Sequence, residues 1–389
     1  MNNLVHIESA ELEPINATCF IRRLEPAVIP HMLTEAAKTA NPADLFMKMF
    51  YIFGAYGQDA TALQMQSKAL EFRKLFRIVA PPIPQLKLLA LVAAGDMMDN
   101  TPLDFLIENS NIQLELLYVD EHLQLPLKVP EHDAVYLAIG ESPKNNPILD
   151  NLSDLIKHWP RPTVNDPAGI RRCARDVFCH LMKSGPNIRV ANTFIKKHGE
   201  LAFRGEPFTV RPIGSHAGTG FVKITSDQEL TTYLGSYKED QIFYQAEFLA
   251  YQSEDGHYRK YRIALIAGVP YICHLAISQH WIVHYFPSGM ELSQAKRVEE
   301  EREMNQFDTG FAQAHSKAFA YIYETLGLDY VVLDCAQTKS GELIVFEADS
   351  GAWVHATDPV EIFAYKPAVM QKVFTAFREM LMRKACTEF

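Results

Sequence analysis

Three stretches of the chain carry residue types that could hold a phosphorylated, metal-bound ligand. In the first, Pro207-Phe-Thr-Val-Arg-Pro-Ile-Gly-Ser-His-Ala-Gly-Thr-Gly-Phe221, a strand ends in the cation Arg211 and runs into a loop with Gly214, Ser215, His216, Gly218 and Gly220. Glycines leave backbone N–H groups free to turn inward and put no Cβ in the way of a close approach. A basic side chain on the preceding strand offsets phosphate charge. The same residues also describe a tight hairpin turn, and the Walker pattern G-x-x-x-x-G-K-[ST] is absent.

The second stretch is Asp334-Cys-Ala-Gln-Thr-Lys-Ser-Gly-Glu-Leu-Ile-Val-Phe-Glu347-Ala-Asp349. A turn at Lys339-Ser-Gly341 folds two apolar strands together, with Asp334 on one and Glu347 and Asp349 on the other. Residues two apart share a strand face. Three carboxylates on one face repel unless a cation or proton neutralises them, and an all-oxygen set of this kind suits Mg²⁺ or Mn²⁺. The competing reading is a set of solvated acids, which the apolar neighbours Val331 to Leu333 and Ile344 to Phe346 disfavour.

The third stretch combines Gln245-Ala-Glu247-Phe248 with Asp255-Gly-His-Tyr-Arg-Lys-Tyr-Arg262. Alternation puts Lys260 and Arg262 on one face, with Arg259 beside them. This cluster clamps a phosphate or carboxylate, or else forms a solvated basic strand edge. Downstream lie His274, His280 and His284. A histidine there could take the proton of an incoming amine or simply hydrogen-bond within a strand. Trp353 and His355 follow the acidic strand.

Around these stretches the patterning sets out three regions. Up to about Phe76 it is helical. Asn41-Pro-Ala-Asp starts one helix, Gly54-Ala-Tyr-Gly57 breaks it, and a second apolar pattern follows. The αα-hairpin so formed has a faint tetratricopeptide character, although one unit cannot make a stacked array. Strands at 86–94, 112–119 and 132–139, with helices near 101–108 and 146–159, make a small parallel α/β layer without a dinucleotide fingerprint. Trp159-Pro-Arg-Pro162 is a stiff connector. Beyond it come helix 168–184, strands 189–195 and 206–212, and helix 226–235. Strands 242–250, 258–267 and 270–278 precede a helix over 298–326. Strands 330–337 and 342–348 and a helix from 366 to the end complete an α+β pattern.

Taken in order, the three stretches resemble the ATP-grasp superfamily over about residues 160 to 385. Thr163-Val-Asn-Asp-Pro-Ala-Gly-Ile170 with Ala174-Arg-Asp176 is similar to the entry helix of glutathione synthetases and ribosomal-protein glutamate ligases. The resemblance implies an α+β ATP-grasp fold of two subdomains, preceded by a small α/β domain and an N-terminal helical hairpin. The implied domains are 1–78, 85–160 and 161–389, with a hinge near 245–250. It implies ATP held by Arg175, Arg211, Gly214, Ser215, His216, Gly218, Gly220, Gln245, Glu247 and Phe248. Asp334, Glu347 and Asp349 would hold Mg²⁺ or Mn²⁺. Arg262, Lys260 and Arg211 would be catalytic, and Arg259, His274, His284 and Trp353 would face substrate. The implied reaction is carboxylate–amine ligation through an acyl phosphate. A phosphate-only kinase and a non-catalytic nucleotide sensor are the alternatives. Three residues depart from the family pattern: Arg211 for a lysine, Val177 for a second lysine, and Asp349 for an asparagine.

Composition is consistent with this class. Of 389 residues, 48% are hydrophobic and 22% charged, as in a globular chain with a sizeable core. A net charge of −10 argues against a nucleic-acid or anionic-membrane binder. The expected partners are small-molecule or peptide acids and amines, a second copy in a homodimer, and a peptide or protein docked on the N-terminal helices. Six cysteines without a C-x-x-C pair read as reduced thiols. With no signal-like start and no long apolar run, they point to the cytoplasm.

Overall fold

The computed structural model describes residues 3–9, 12–15, 17–18, 28–125, 127–215 and 218–386. A short strand, β1 (Leu4–His6), precedes three helices, α1 (Ile29–Ala36), α2 (Ala43–Ala55) and α3 (Asp59–Phe72). The helical reading stops at Phe72, because Leu75–Val79 is a strand, β2. Its alternation of Leu75 and Arg77 with Phe76 and Ile78 is too short to stand out from the preceding helical pattern.

The next segment supplies β3 (Leu86–Ala93), α4 (Leu103–Leu106), β4 (Ile112–Val119), β5 (Leu127–Val129), β6 (Ala134–Leu137), α5 (Asn146–Lys157) and β7 (Thr163–Val164). One sheet runs β2-β4-β3-β6-β7, with β2 antiparallel and the rest parallel, while β5 pairs with β1. The apolar run of β3 follows from its place in this sheet. Leu88, Ala90 and Val92 enter one core and Leu89, Leu91 and Ala93 the other. A parallel strand covered on both faces has no polar side to show.

Two short helices replace the single one read over 168–184: α6 (Pro167–Arg171) and α7 (Arg175–Met182). The expected strand over 189–195 also divides. β8 (Ile188–Arg189) and β9 (Thr193–Lys197) join different sheets, so the chain crosses between two lobes at residues 190–192. β9 combines with β10 (Phe208–Pro212), β11 (Val222–Ile224) and β12 (Ile242–Glu247) in an antiparallel sheet ordered β11-β10-β12-β9, with α8 (Asp227–Leu234) beside it. This lobe has its own small core around Phe208, Val210, Leu230 and Phe243.

The second lobe holds β13 (Tyr258–Ile266), β14 (Val269–Ser278), α9 (Gln294–Gln306), α10 (Phe311–Ala314), α11 (Ser316–Leu326), β15 (Tyr330–Gln337), β16 (Leu343–Asp349) and α12 (Lys366–Ala385). Its sheet runs β14-β13-β15-β16-β8. Ala267 and Gly268, both at positive φ, make the two-residue turn of the β13–β14 hairpin, a geometry that favours glycine. The helix expected over 298–326 is broken at Phe307–Gly310 and again at His315 into three pieces. Two large cores run without interruption from the parallel sheet into this lobe, so Leu91 and Leu333 share one and Val92 and Val332 the other. The parallel layer and the second lobe are thus one packed body, against which the four-stranded lobe forms a cleft. The resulting architecture is mixed α+β behind a small α/β layer, as the sequence patterning implies.

One buried charged network ties α9 and α12 to β14. Glu300 is fully buried in an otherwise strongly polar helix. It accepts hydrogen bonds from Leu275 N (3.1 Å), Tyr285 Oη (2.8 Å) and Tyr365 Oη (2.6 Å), and lies 3.5 Å from Lys366 Nζ. Lys366 also meets Asp358 at 2.8 Å. Removing one member of such a set strands the others in low dielectric. We expect Glu300→Ala to lower stability by about 3–5 kcal/mol in urea unfolding, with Glu300→Gln losing less. An unchanged midpoint for Glu300→Ala would show that the network adds nothing.

Candidate functional site

The cleft between the lobes contains a cavity of about 270 Å³. Its floor is laid by the antiparallel register of the second lobe, where Arg262 lies opposite Asp334 and Asp334 opposite Glu347. A bulge after Asp334 in that pairing keeps Glu347 across from it. Lys260 Nζ reaches Asp334 Oδ2 at 2.9 Å. Arg262 holds both carboxylate oxygens, Nε to Oδ1 at 2.9 Å and Nη2 to Oδ2 at 3.1 Å. Glu347 is paired with Arg175 from the start of α7.

Burial would raise the pKa of Asp334, but Arg262 and Lys260 outweigh it and hold the group well below the usual carboxylate range. Glu347 is also held low, because Arg175 overcomes burial and the repulsion of Asp334. Glu141, which enters the cleft from the parallel layer, has no such cation in contact among the described residues, and burial pushes it up.

Arg211 is different. Only 8% exposed, it donates from Nε to Ser215 Oγ at 3.1 Å and from Nη2 to the Ser215 carbonyl, and its guanidinium lies 5.5 Å from the Phe221 ring. Among the described residues it has no carboxylate within ion-pair reach. Burial and then Arg175 pull its pKa down to about 10. The glycine loop that it anchors lies close to the opposite lobe. A Cβ on Gly218, which has φ +77°, would stand 2.7 Å from His284 Nε2. Phe221 and Phe248 meet Trp281 edge-on at 5.2 and 5.5 Å, so aromatic rings close one end of the cleft.

Several residues singled out in the sequence line the cavity: Arg175, Arg211, Gly214, Ser215, Gly218, Glu247, Phe248, Lys260, Arg262, His284, Asp334, Glu347 and Asp349. Others do not. Gln245 lies between the lining residues Tyr244 and Ala246 on a strand whose side chains alternate, and Gly220 packs against Tyr237 and Pro212. Arg259 is engaged outside the cavity by Asp255 and Glu299. His274 is half-buried and packs against Tyr285, with ring centroids 4.6 Å apart, and Arg262 and Lys366 add to desolvation in keeping it neutral. Trp353 lines a second, smaller cavity, although its carbonyl oxygen accepts from Arg262 at 3.1 Å. His216 lies outside the described residues.

Glu247 shows a role that the sequence does not announce. It pairs with Arg189 and accepts from Asn192 Nδ2 at 2.9 Å, so it clasps the segment that crosses between the lobes. Glu141, Tyr244 and Trp281 are lining residues that no motif marks.

Among the described residues no three Asp, Glu, His or Cys side chains converge as a ready-made metal cage. The donor chemistry of Asp334, Glu347 and Asp349 still suits Mg²⁺, which is usually held by one or two carboxylates together with phosphate oxygens.

No family model matches the sequence, and no curated protein matches it. Solved structures do. A D-alanine–D-alanine ligase from Bacillus anthracis, complexed with ATP, is 14% identical, covering 78% of this chain and 100% of its own with a TM-score of 0.45. The VanG D-Ala:D-Ser ligase from Enterococcus faecalis is 12% identical over 77% of this chain and 100% of its own, with a TM-score of 0.45. A RimK-domain ATP-grasp protein from Sphaerobacter thermophilus is 13% identical over 76% of this chain and 99% of its own, with a TM-score of 0.45.

The paired acids give the fold a signed pH dependence. Asp334 has a folded pKa below its unfolded value of about 3.9, so its contribution is fully present above that pH and is lost as the pH falls. We expect Asp334→Asn to lower stability by about 3 kcal/mol at pH 7, and to lose less than wild type on acidification below about pH 4. Parallel acid-unfolding curves for the two proteins would exclude this ion cluster as a source of the pH dependence.

Proposed function

We propose that the protein is an ATP-dependent ligase of the ATP-grasp type, joining a carboxylate to an amine with release of ADP and phosphate. Arg211 carries this reading. It is a buried guanidinium without an acidic partner among the described residues, placed at the mouth of a glycine loop. An uncompensated buried cation is stabilised by an anion, and the loop N–H groups suit phosphate oxygens. Tyr244, Phe248 and Trp281 offer flat walls for a nucleobase in the same cavity.

In this scheme Arg211 and the loop from Gly214 to Gly220 grip the phosphates. Arg175, Lys260 and Arg262 exchange their carboxylate partners for phosphate oxygens as the nucleotide enters. Asp334 and Glu347, released by that exchange, would with Asp349 hold Mg²⁺ or Mn²⁺, which supplies charge neutralisation on the phosphates. Arg262 then stabilises negative charge on the phosphoryl group passing to the substrate carboxylate and on the tetrahedral adduct formed by the amine. His284, kept neutral chiefly by burial with Lys260 adding to it, is placed to take the amine proton. The unpaired thiols of Cys173, Cys179, Cys273, Cys335 and Cys386 fit the cytoplasmic setting, and no described helix is long and apolar enough to cross a membrane.

A nucleotide sensor is the second reading. It is favoured by the pairing of Asp334 and Glu347 with protein cations, which leaves these two acids charge-satisfied at rest. Calorimetric titration with ATP and Mg²⁺ separates these outcomes. Arg211→Met should weaken binding about 10- to 100-fold without loss of stability, because it removes a buried unpaired charge. The isosteric double variant Asp334→Asn, Glu347→Gln should lose the magnesium dependence. Undiminished binding to a folded Arg211→Met protein would overturn the phosphate assignment. Trapping of an acyl hydroxamate with hydroxylamine would establish the ligase, whereas binding without ADP release from any acid and amine would leave the sensor.

A further inference from the structure

The smaller cavity, of about 50 Å³, lies between the N-terminal helices, the parallel sheet and the loop after β16. Five aromatic rings line it: Phe50, Tyr51, Phe105, Tyr118 and Trp353. Two carboxylates, Asp96 and Asp104, complete the lining, and no Lys, Arg or His does. Asp104 Oδ2 is buried and has no hydrogen-bond partner. Burial pushes the Asp104 carboxyl up to about 6 against the lowering pull of the Asp104 and Phe105 backbone N–H groups, with the nearby Glu108 adding a little.

The neighbouring amide and threonine donors are committed elsewhere, which leaves the Tyr51 hydroxyl as the ring-borne donor near Asp104. The Gln66 amide bridges Gly95 N and O at 2.8 and 3.0 Å, the Asn100 amide bridges Ala93 N and O at 2.8 and 2.9 Å, and the Thr101 hydroxyl donates to Ser350 O at 2.8 Å. A buried carboxylate left in this state is a standing demand for a donor or a cation. Rings supply the complementary half, since their faces attract a cation and exclude water. A neutral apolar guest would leave Oδ2 unpaired, and a bare metal ion would find too few oxygens among the rings.

We propose that this cavity binds a small organic ammonium group, held between Asp104 Oδ2 and the surrounding aromatic rings. Its position gives the site a use. The Trp353 indole donates to Met97 O at 2.9 Å, and the Trp353 carbonyl accepts from Arg262, so this residue is a wall shared with the large cleft. A substrate lying across that wall would be recognised by its cationic end here while its reacting end meets Arg262. This last assignment rests on the ligase reading, whereas the ammonium site does not.

The test is saturation-transfer NMR on the full chain with ethylammonium chloride, using ethanol as the neutral probe of equal size. Ethylammonium should bind saturably in the millimolar range, and ethanol should not. Asp104→Asn keeps the shape and removes the charge, and should weaken binding at least about tenfold. Tyr51→Leu, which removes a ring from the partly exposed edge, should weaken it about threefold. Neither variant should alter ATP titration, and Asp334→Asn should still bind ethylammonium, so failure of the ligase reading stays separable from failure here. The proposal is overturned if ethanol binds as well, if Asp104→Asn binds undiminished, or if no saturation is seen up to roughly 100 mM, which would mark the cavity as water-filled.

Discussion

Charge compensation in the cleft is the constraint on which the rest depends. Arg175, Arg211, Lys260 and Arg262 share the cavity lining with Glu141, Glu247, Asp334, Glu347 and Asp349. At low effective dielectric, none of these groups can be carried without an opposite charge or strong hydrogen bonds. Asp334 takes two cations and Glu347 takes one, so the strands that carry them are fixed in register by the same interactions that neutralise the site. A slip of one residue in β15 would turn Asp334 to the opposite face and strand Lys260 and Arg262 together. The sheet and the site therefore specify each other.

The crossing between lobes obeys the same rule. Glu247, at the end of β12, meets Arg189 and Asn192 on the segment that leaves β8 for β9. Those partners sit on either side of the point where the chain changes sheets. The small lobe has a core of its own; the rings of Phe221 and Phe248 against Trp281 tie it to the main body, as does Thr193 on β9, whose N donates to Cys179 Sγ on α7 at 3.4 Å. A lobe with a separate core and few bridges can shift against its neighbour at modest cost, since few buried apolar contacts must be broken. Polar groups at the crossing and rings at the mouth leave the cavity between them open to a ligand.

Much of this was legible in the sequence because the signals were local. Period-2 alternation placed Lys260 with Arg262 and Glu347 with Asp349, and the observed register brings both pairs to the cavity. The buried run 86–94 could only be a strand covered on both sides. What stayed hidden depended on partners distant in sequence. Arg259 and Arg262 differ little as letters, yet Glu299 draws one outward and Asp334 holds the other inward. Gln245 and Glu247 share a motif, but strand alternation and the end of β12 separate their surroundings. Breaks in helices at 172–174 and 307–310 fall where packing, rather than a proline, ends the helix. Glu300 sits among exposed acids with no local cue that it is buried, and Asp104 has no motif at all.

Asp104 and Arg211 are mirror cases of one physical situation. Each is a charged side chain withdrawn from water without a counter-ion among the described residues, one in an aromatic cavity and one beneath a glycine loop. Elsewhere in this fold buried charge is matched with care, as at Glu300 with Lys366 and at Asp334 with Arg262. Protein stability alone favours replacing an unmatched buried charge by an apolar residue of similar size. Retaining two of opposite sign on either side of the Trp353–Arg262 wall is therefore the signature expected of a protein whose missing partners arrive from solution. A molecule carrying an ammonium group at one end and meeting a phosphorylated partner at the other would satisfy both at once.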